Sequence, residues 1–190
     1  MKLPAFRNET YKDYTAPRER RAMQEALAHV AKQAGKRYPL VINGKKIFTK
    51  DAITSHDPAH PKQVIGHFSR GTVQHAEQAL KVAQETFTTW SQVPPAERAA
   101  LLLRASKIAR RRRYEINAWM VREVGKNWAE ADADTAEGID FLEFYAREML
   151  RLSTPAPLHQ LPGEKDRLEY IPLGVGVVIP PWNFPFAILL

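Results

Sequence analysis

The chain has 190 residues, of which 44% are hydrophobic, and its formal net charge is +7. This length can bury the core of one domain or a little more. The absence of cysteine excludes a disulfide framework, a thiolate metal site and a cysteine nucleophile within these residues. No run reaches the roughly 18 apolar residues that a membrane span needs, and residues 1–21 lack the apolar core of a signal peptide. We therefore expect a cytoplasmic protein without a membrane partner.

The first part of the chain predicts a helix followed by short strands. Asn43-Gly44 between two apolar runs is a strong signal for a two-residue hairpin, and Val64 to Phe68 predicts another strand. Gly35 is a typical stop after the first helix. The apolar residues that predict this helix are Met23, Leu27 and Val30.

Two helices are predicted next, separated by Pro94-Pro95. Thr72 can cap the first of them. Its apolar line consists of Val73, Ala76, Leu80, Ala83, Phe87 and Trp90. The second has its expected buried side at Leu101, Leu102, Ala105, Ile108 and Ala109, and the pattern continues through Ile116, Trp119, Met120 and Val124 up to Gly125.

The last part of the chain predicts one long helix and then strands. Apolar periodicity indicates a helix from about Trp128 to Leu152, with Ile139, Leu142, Ala146 and Met149 facing inward. Ser153 to Lys165 is rich in proline and predicts a loop. Leu168 to Ile171 and Val175 to Ile179 predict strands, the second nearly all apolar and thus buried on both faces. The pattern is that of an α/β protein.

The run Arg110 to Arg113 is the best argument for nucleic-acid binding, because basic clusters bind phosphates. No aromatic residue interleaves with it to stack on bases. It lies where a helix ends, and cations stabilise that end of the helix dipole. We favour a solvated helix end and expect no nucleic-acid partner.

The most informative motif is the run Pro181-Trp182-Asn183-Phe184-Pro185. It follows an apolar predicted strand and leads into Phe186 to Leu190, which predicts the first turn of a helix. An amide side chain fixed between two prolines at such a corner can donate a hydrogen bond to a developing oxyanion. Asn is also common as an ordinary turn or cap residue.

This run resembles the aldehyde dehydrogenase superfamily. Further segments resemble the N-terminal part of its bacterial delta-1-pyrroline-5-carboxylate dehydrogenases, also called L-glutamate gamma-semialdehyde dehydrogenases. The segments that carry this resemblance are Glu9 to Arg18, Pro39 to Lys45, Asp57 to Ala59, Glu123 to Trp128, Glu130 to Asp134 and Ala136 to Phe141.

The resemblance implies an aldehyde dehydrogenase-like α/β fold, with an incomplete Rossmann-type cofactor domain preceded by helices and a hairpin. It assigns residues 1–153 to the N-terminal part of the NAD-binding domain. Residues 154–172 correspond to an oligomerisation arm, which implies a homo-oligomer. Residues 173–190 correspond to the start of the NAD-binding sheet.

The resemblance also implies site residues. Asn183 would hold the oxyanion, and Phe184 would form an aromatic wall of the substrate channel. Glu137 would lie at the mouth of the substrate site, although an ordinary solvated carboxylate is an equally good interpretation. The cofactor side of the pocket would be Ile179, Pro180, Pro181, Trp182 and Asn183.

The implied reaction is the NAD-dependent oxidation of L-glutamate gamma-semialdehyde to L-glutamate in proline catabolism. It needs a cysteine thiolate, which this chain lacks, so we expect the chain alone to be inactive. Truncation of a longer enzyme is the favoured explanation. The alternative is a split or degenerate product that acts as an interaction module through Thr154 to Pro172.

Two weaker patterns carry no assignment. Gly174-Val175-Gly176 lacks the third glycine and the following helix of a dinucleotide fingerprint. His56 and His60 are four residues apart, but Pro58 places them in a loop, and no third ligand accompanies them. We therefore predict no metal site.

Overall fold

The computed structural model describes residues 3–190, and within them every helix and strand lies between Pro17 and Leu152. Helices and strands alternate unevenly, which confirms the predicted α/β class. The elements are α1 (Pro17–Ala31), β1 (Lys36–Tyr38), β2 (Leu40–Ile42), β3 (Lys45–Ile47), β4 (Ala52–Asp57), β5 (His60–Ser69), α2 (Val73–Trp90), α3 (Pro95–Arg111), α4 (Arg113–Val124) and α5 (Trp128–Leu152).

The larger sheet has β5 at its centre, with the order β1-β5-β4. β1 runs parallel to β5, and β4 runs antiparallel to it. The predicted strand at Val64 to Phe68 lies within β5. Tyr38 stacks on Phe68 with ring centroids 5.0 Å apart. Gly66 leaves room for this stack, because a Cβ there would lie 2.9 Å from the Tyr38 ring.

The hairpin predicted from Asn43-Gly44 is formed by β2 and β3, whose pairing joins Ile42 to Lys45. Asn43 has φ of 50° and Gly44 has φ of 69°. Two consecutive positive φ angles are what a type I′ turn requires, and Asn followed by Gly tolerates them at little cost. The turn chemistry thus fixes the register of this pair.

Helix α5 is the centre of the helical layer, and its bounds are those predicted. The helices α3 and α4 both contact it, and α1 packs on α4. Of the four residues expected to face inward, Ile139, Leu142 and Ala146 are buried. A second apolar cluster joins Met23 and Val30 of α1 to Ala118 of α4.

The helix boundaries predicted at Thr72 and Gly125 are confirmed, and Asn127 provides a further cap. The Thr72 hydroxyl accepts a hydrogen bond from the His75 backbone N–H at 3.4 Å, and His75 Nδ1 accepts one from the Thr72 backbone. Asn127 Oδ1 accepts from the Glu130 N–H at 2.9 Å and starts α5. Gly125 ends α4 in a left-handed conformation. These bonds satisfy N–H groups that a helix start leaves without a partner.

The predicted strands at Leu168 to Ile171 and Val175 to Ile179 are wrong for this structure, which has irregular backbone there. A strand is stabilised by hydrogen bonds to a neighbouring strand, and residues 3–190 offer none beside this segment. Its side chains are exposed, with Ile179 at 85%. The first helical turn predicted at Phe186 to Leu190 is instead a series of turns.

The buried sides predicted for α2 and α3 are only partly covered. Helix α2 has no buried residue, and Val73 and Trp90 are exposed. On α3, Ala109 is buried whereas Leu101 and Ile108 are exposed. The periodicity predicted the helices correctly, but within residues 3–190 their neighbours cover these faces only in part. No helix of the described chain has both the length and the apolar character needed to cross a membrane.

The solvated helix end predicted for Arg110 to Arg113 is wrong at its last residue. Helix α3 ends at Arg111, as expected, but Arg113 begins α4 and its side chain is 3% exposed. The Asp132 carboxylate on α5 receives its guanidinium at 2.7 Å. Because a buried charge requires a partner, the position of Arg113 depends on this carboxylate.

Candidate functional site

The corner at residues 181–185 is a tight turn. The Phe184 N–H donates to the Pro181 carbonyl at 3.3 Å, so Trp182 and Asn183 occupy the two central positions. This bond uses backbone atoms, and the Asn183 side chain is exposed. Pro181 and Pro185 restrict the backbone on both sides because each fixes its own φ. The corner therefore presents an amide side chain on a stiff turn.

A buried carboxylate on α5 holds the chain just after this corner. Asp134 is fully buried, and its Oδ1 accepts a hydrogen bond from the Ala187 backbone N–H at 2.8 Å. Its Oδ2 receives Lys126 Nζ at the same distance of 2.8 Å. The ammonium group also lies 4.6 Å from the centroid of the Phe184 ring, within the range of a cation–π interaction.

A cavity of about 420 Å³ lies between this corner and the start of α5. It brings the predicted residues Asn183 and Phe184 next to Lys126. The ammonium group beside the ring gives this wall of the cavity a positive charge, balanced by the Asp134 carboxylate. The lining residues are Val124, Gly125, Lys126, Glu130, Ala133, Trp182, Asn183 and Phe184.

A larger groove of about 670 Å³ lies on the other side of Trp182, which lines both spaces. Its surface is mostly apolar and includes Pro58 from the turn between β4 and β5. The ring of Phe186 closes against α5, where Gly138 permits the approach, since a Cβ there would lie 2.8 Å from the ring. The other residues that line the groove are Ile116, Trp119, Met120, Glu123, Val124 and Pro185.

Glu137 is not among the residues that line the Asn183 cavity. It is half-buried on α5, seven residues after Glu130 and four after Ala133, both of which do line it. Residues at these spacings share one helix face. Glu137 therefore extends the face of the cavity by one helical turn, and its role at a substrate mouth stays a prediction.

The predicted cofactor stretch has an extended, exposed backbone. Ile179 is 85% exposed and Trp182 is 81% exposed. Pro180 is half-buried, and Pro181 is exposed. Only the end of this stretch contacts the cavity, through Trp182 and Asn183.

The two histidines noted in the sequence have other contacts. His56 Nδ1 lies 2.9 Å from the Pro61 carbonyl oxygen, and His60 Nδ1 lies 3.4 Å from Asp57. Across residues 3–190, no group of three or more His, Asp or Glu side chains is arranged to hold a metal ion.

Sequence reasoning missed Asp134 and Lys126 as parts of the site. Charged residues on a long helix are ordinarily interpreted as solvated. The position of Asp134 was a usable signal, because it lies three residues after Ala131 and four before Gly138, both buried. An acid on the buried side of a helix requires a hydrogen-bonding partner, and here it has two.

The sequence comparisons agree with the resemblance found in the motifs. Residues 47–190 match the Aldehyde dehydrogenase family. The chain is 50% identical to the 1-pyrroline-5-carboxylate dehydrogenase of Geobacillus thermodenitrificans over 97% of its own length and 36% of that protein. It is 49% identical to the enzyme of the same name from Oceanobacillus iheyensis, again over 36% of the relative. The chain thus spans little more than a third of these curated relatives.

Solved structures give the same result. A mutant of the Thermus thermophilus 1-pyrroline-5-carboxylate dehydrogenase superposes with a TM-score of 0.95 at 46% identity, covering 99% of this chain and 37% of that one. The enzyme from Thermus with bound NAD superposes with a TM-score of 0.94 and the same coverage. The predicted likeness to this subfamily and its fold is confirmed. By sequence and by structure, the chain belongs to the aldehyde dehydrogenase family.

Proposed function

We propose that this chain supplies the N-terminal part of an NAD-dependent enzyme that oxidises L-glutamate gamma-semialdehyde to L-glutamate in proline catabolism. The observation that carries the proposal is the turn at Asn183, which presents an exposed amide beside a cavity. The curated relatives, 50% identical in one case, support the choice of substrate because they are named 1-pyrroline-5-carboxylate dehydrogenase.

The role proposed for Asn183 is to donate its side-chain N–H to the aldehyde oxygen. When a thiolate adds to the carbonyl carbon, the π electrons move to that oxygen, which becomes an oxyanion. A donor that is already oriented stabilises this charge without reorganising. A stiff turn between two prolines is a suitable mount for it.

Phe184 and Glu137 are proposed to act on the substrate. Phe184 is 37% exposed and lines the same cavity as Asn183, as an aromatic wall should. Glu137 is half-buried one turn farther along α5. A carboxylate there suits contact with the amino group of the semialdehyde, which is absent from simple aldehydes.

The stretch from Ile179 to Asn183 is proposed to line the nicotinamide and ribose side of the cofactor site. Its residues fit this purpose, because their apolar surface is uncovered and their backbone is not committed to a sheet within residues 3–190. When bound, NAD supplies the hydride acceptor of the reaction. Residues 1–153 and 173–190 are assigned to the NAD-binding domain.

The proposed reaction needs parts that this chain does not contain. The 190 residues include no cysteine, so a thiolate nucleophile must come from the part of the enzyme that corresponds to the uncovered length of the relatives. We assign residues 154–172 to an arm that joins subunits of a homo-oligomer. Leu161, Leu168 and Tyr170 are half or more exposed there, as a contact surface requires.

The test is a chimera in which this chain is followed by the remaining sequence of the Geobacillus thermodenitrificans relative. NADH formation is measured with glutamate semialdehyde and with propionaldehyde. We expect the semialdehyde to be the better substrate by kcat/KM, and Glu137→Gln to reduce that preference. A folded chimera that binds NAD but oxidises neither aldehyde would refute the proposal.

A second candidate is an interaction module without catalysis. The uncovered apolar side chains after α5 favour it, since Ile171 is 78% exposed and Val177 is 78% exposed. Large exposed apolar patches mark interaction surfaces. A stable complex between this chain and a separately expressed remainder of the enzyme, without recovered activity, would support this candidate.

A further inference from the structure

Asn183 can orient an oxyanion only if its turn is held in place relative to the helices. The segment before the turn does little to hold it, because residues 171–179 are all exposed. The contacts that fix the turn therefore come from its own residues and from those after it.

The residues of the turn and those just after it contact one ion pair, formed by Asp134 of α5 and Lys126 of the segment that precedes α5. Asp134 accepts the Ala187 N–H at 2.8 Å, four residues after Asn183, and also receives Lys126 Nζ at 2.8 Å. The Lys126 ammonium group lies 4.6 Å from the ring centroid of Phe184, the neighbour of Asn183. The pair thus contacts the chain directly after Asn183 at two points.

Burial makes this arrangement well defined. Asp134 is 0% exposed and the Lys126 side chain is 11% exposed. In such a site a charge-assisted hydrogen bond is roughly twice as strong as a neutral one. Each partner depends on the other, since an isolated buried charge is costly. The pair consequently admits few alternative geometries for the turn.

We infer that Asp134 and Lys126 are positioning residues, which hold the turn so that the Asn183 amide faces the cavity. Asp134 fixes the chain through the Ala187 backbone, and Lys126 fixes the Phe184 ring. Neither side chain is assigned contact with the reacting atoms. The inference rests on the proposed function for its kinetic consequence, whereas its structural consequence can be measured without catalysis.

The structural test compares two buried ion pairs whose carboxylates both lie on α5. The double variant Asp134→Leu with Lys126→Met replaces one pair by apolar groups of similar size, a change that can preserve the fold. The matched control is Asp132→Leu with Arg113→Met. Asp132 Oδ2 accepts the Lys12 backbone N–H at 2.7 Å, just as Asp134 accepts that of Ala187.

Hydrogen exchange of both amides is followed by mass spectrometry with residue-level fragmentation of the 190-residue chain. In the Asp134 variant, Ala187 should exchange roughly 10- to 100-fold faster while Lys12 is unchanged. In the Asp132 variant, the two results should be reversed. Unchanged exchange at Ala187, or equal acceleration at both amides in the Asp134 variant, would overturn the inference.

The kinetic test uses the chimera described above, with the same two double variants. The Asp134 variant should lower kcat by about 100-fold, the cost typical of a misplaced catalytic group, with the Kd for NAD within about twofold of the parent. The chimera carrying the Asp132 control should keep most of its kcat. If the parent chimera is active and the Asp134 variant keeps its kcat, the inference fails and the proposed function stands. If the parent chimera is inactive while Ala187 exchanges faster in the Asp134 variant, the structural inference stands and the proposed function fails.

Discussion

Arg113 and Asp132 form a buried ion pair that joins α4 to α5. Arg113 Nε lies 2.7 Å from Asp132 Oδ1, and the two side chains are 3% and 1% exposed. Burial opposes ionisation of this carboxyl, but hydrogen bonds from Arg113, the Lys12 backbone and Asn117 outweigh it and lower the pKa of Asp132. Arg113 also donates to the Thr10 carbonyl at 2.9 Å, so the pair fixes the N-terminal segment against the helices.

Arg113→Met is expected to lower the free energy of unfolding by roughly 3–5 kcal/mol, because it leaves the Asp132 carboxylate buried without its cation. The measurement is urea denaturation followed by circular dichroism. Arg112→Met is the control. The Arg112 side chain is 59% exposed, and its guanidinium pairs with Glu115. Such surface pairs contribute about 0–1 kcal/mol to the free energy of unfolding. Equal losses in the two variants would contradict the role assigned to Arg113.

Glu143 makes stability depend on pH. Burial raises the pKa of the Glu143 carboxyl, but hydrogen bonds from Ser106, Arg147 and Arg110 lower it by more, so that the net pKa is about 2. Because the folded pKa lies below the unfolded one, the stabilisation is present above about pH 4.5 and is lost as the pH falls toward 2. Glu143→Gln should therefore destabilise the chain strongly at neutral pH and little at low pH. Ser106→Ala, which removes one donor, should give a pH dependence of stability between those of the parent and Glu143→Gln. Parallel stability profiles for the parent and both variants would rule out Glu143 as the cause of the pH dependence.

Sequence patterns predicted the elements that depend on local interactions. Apolar periodicity predicts the bounds of α5, and the left-handed tolerance of Asn43-Gly44 predicts the β2–β3 hairpin. These features need no information about distant residues, because the period and the turn angles are encoded within a few positions.

Sequence patterns did not predict which charges become buried. Arg113, Asp132 and Asp134 have the appearance of solvated helix residues, yet all three are buried. Their partners include Thr10 and Ala187, which are far away along the chain. Such pairings are set by how α4 and α5 pack, and propensity carries no information about that.

The apolar run Val175 to Ile179 illustrates the opposite failure. Its composition is that of a strand buried on both faces, but a strand also needs neighbours to receive its backbone hydrogen bonds. Residues 3–190 provide no such neighbour, so the run is exposed and irregular. The run Pro181 to Pro185 that follows it still forms a tight turn, because this turn depends on its own prolines and on contacts with α5.

Gly125→Ala should destabilise the chain more than Gly35→Ala does. Both glycines have φ of 76°, so each substitution carries the left-handed strain of roughly 1–2 kcal/mol. A Cβ at Gly125 would also lie 2.9 Å from Pro58 Cγ, whereas one at Gly35 meets nothing within 4 Å. The difference in midpoint of thermal unfolding between the two variants measures this contact. Equal losses for the two variants would show that Pro58 moves away freely.

The 190-residue chain alone should not oxidise aldehydes. Covalent catalysis of this kind needs a thiolate, and the sequence contains no cysteine. Purified chain is incubated with NAD and glutamate semialdehyde, and the absorbance of NADH is followed. The control is protein purified identically from a host that lacks its own enzyme of this activity. Turnover above that of a buffer blank would contradict the requirement for a residue from outside the chain.

Asn183→Ala in the chimera should lower kcat far more than it weakens substrate binding. The amide hydrogen bond strengthens only as the aldehyde oxygen gains charge, so its loss affects the transition state rather than the bound aldehyde. Removing one such donor typically costs about 10²–10³ in kcat. The affinity for NAD should change little, because the contacts proposed for Ile179 to Trp182 come largely from the backbone.

The control for this prediction is Asn8→Ala, which removes another exposed amide. Asn8 lies near the other end of the sequence from the corner. Its Nδ2 donates to Asp140 at 2.8 Å. Steady-state kinetics of the two variants with glutamate semialdehyde should therefore give a near-parental kcat for Asn8→Ala and a strongly reduced one for Asn183→Ala. A near-parental kcat for Asn183→Ala would mean that the residue only completes its turn, since the turn hydrogen bond between Phe184 and Pro181 needs no side chain from it.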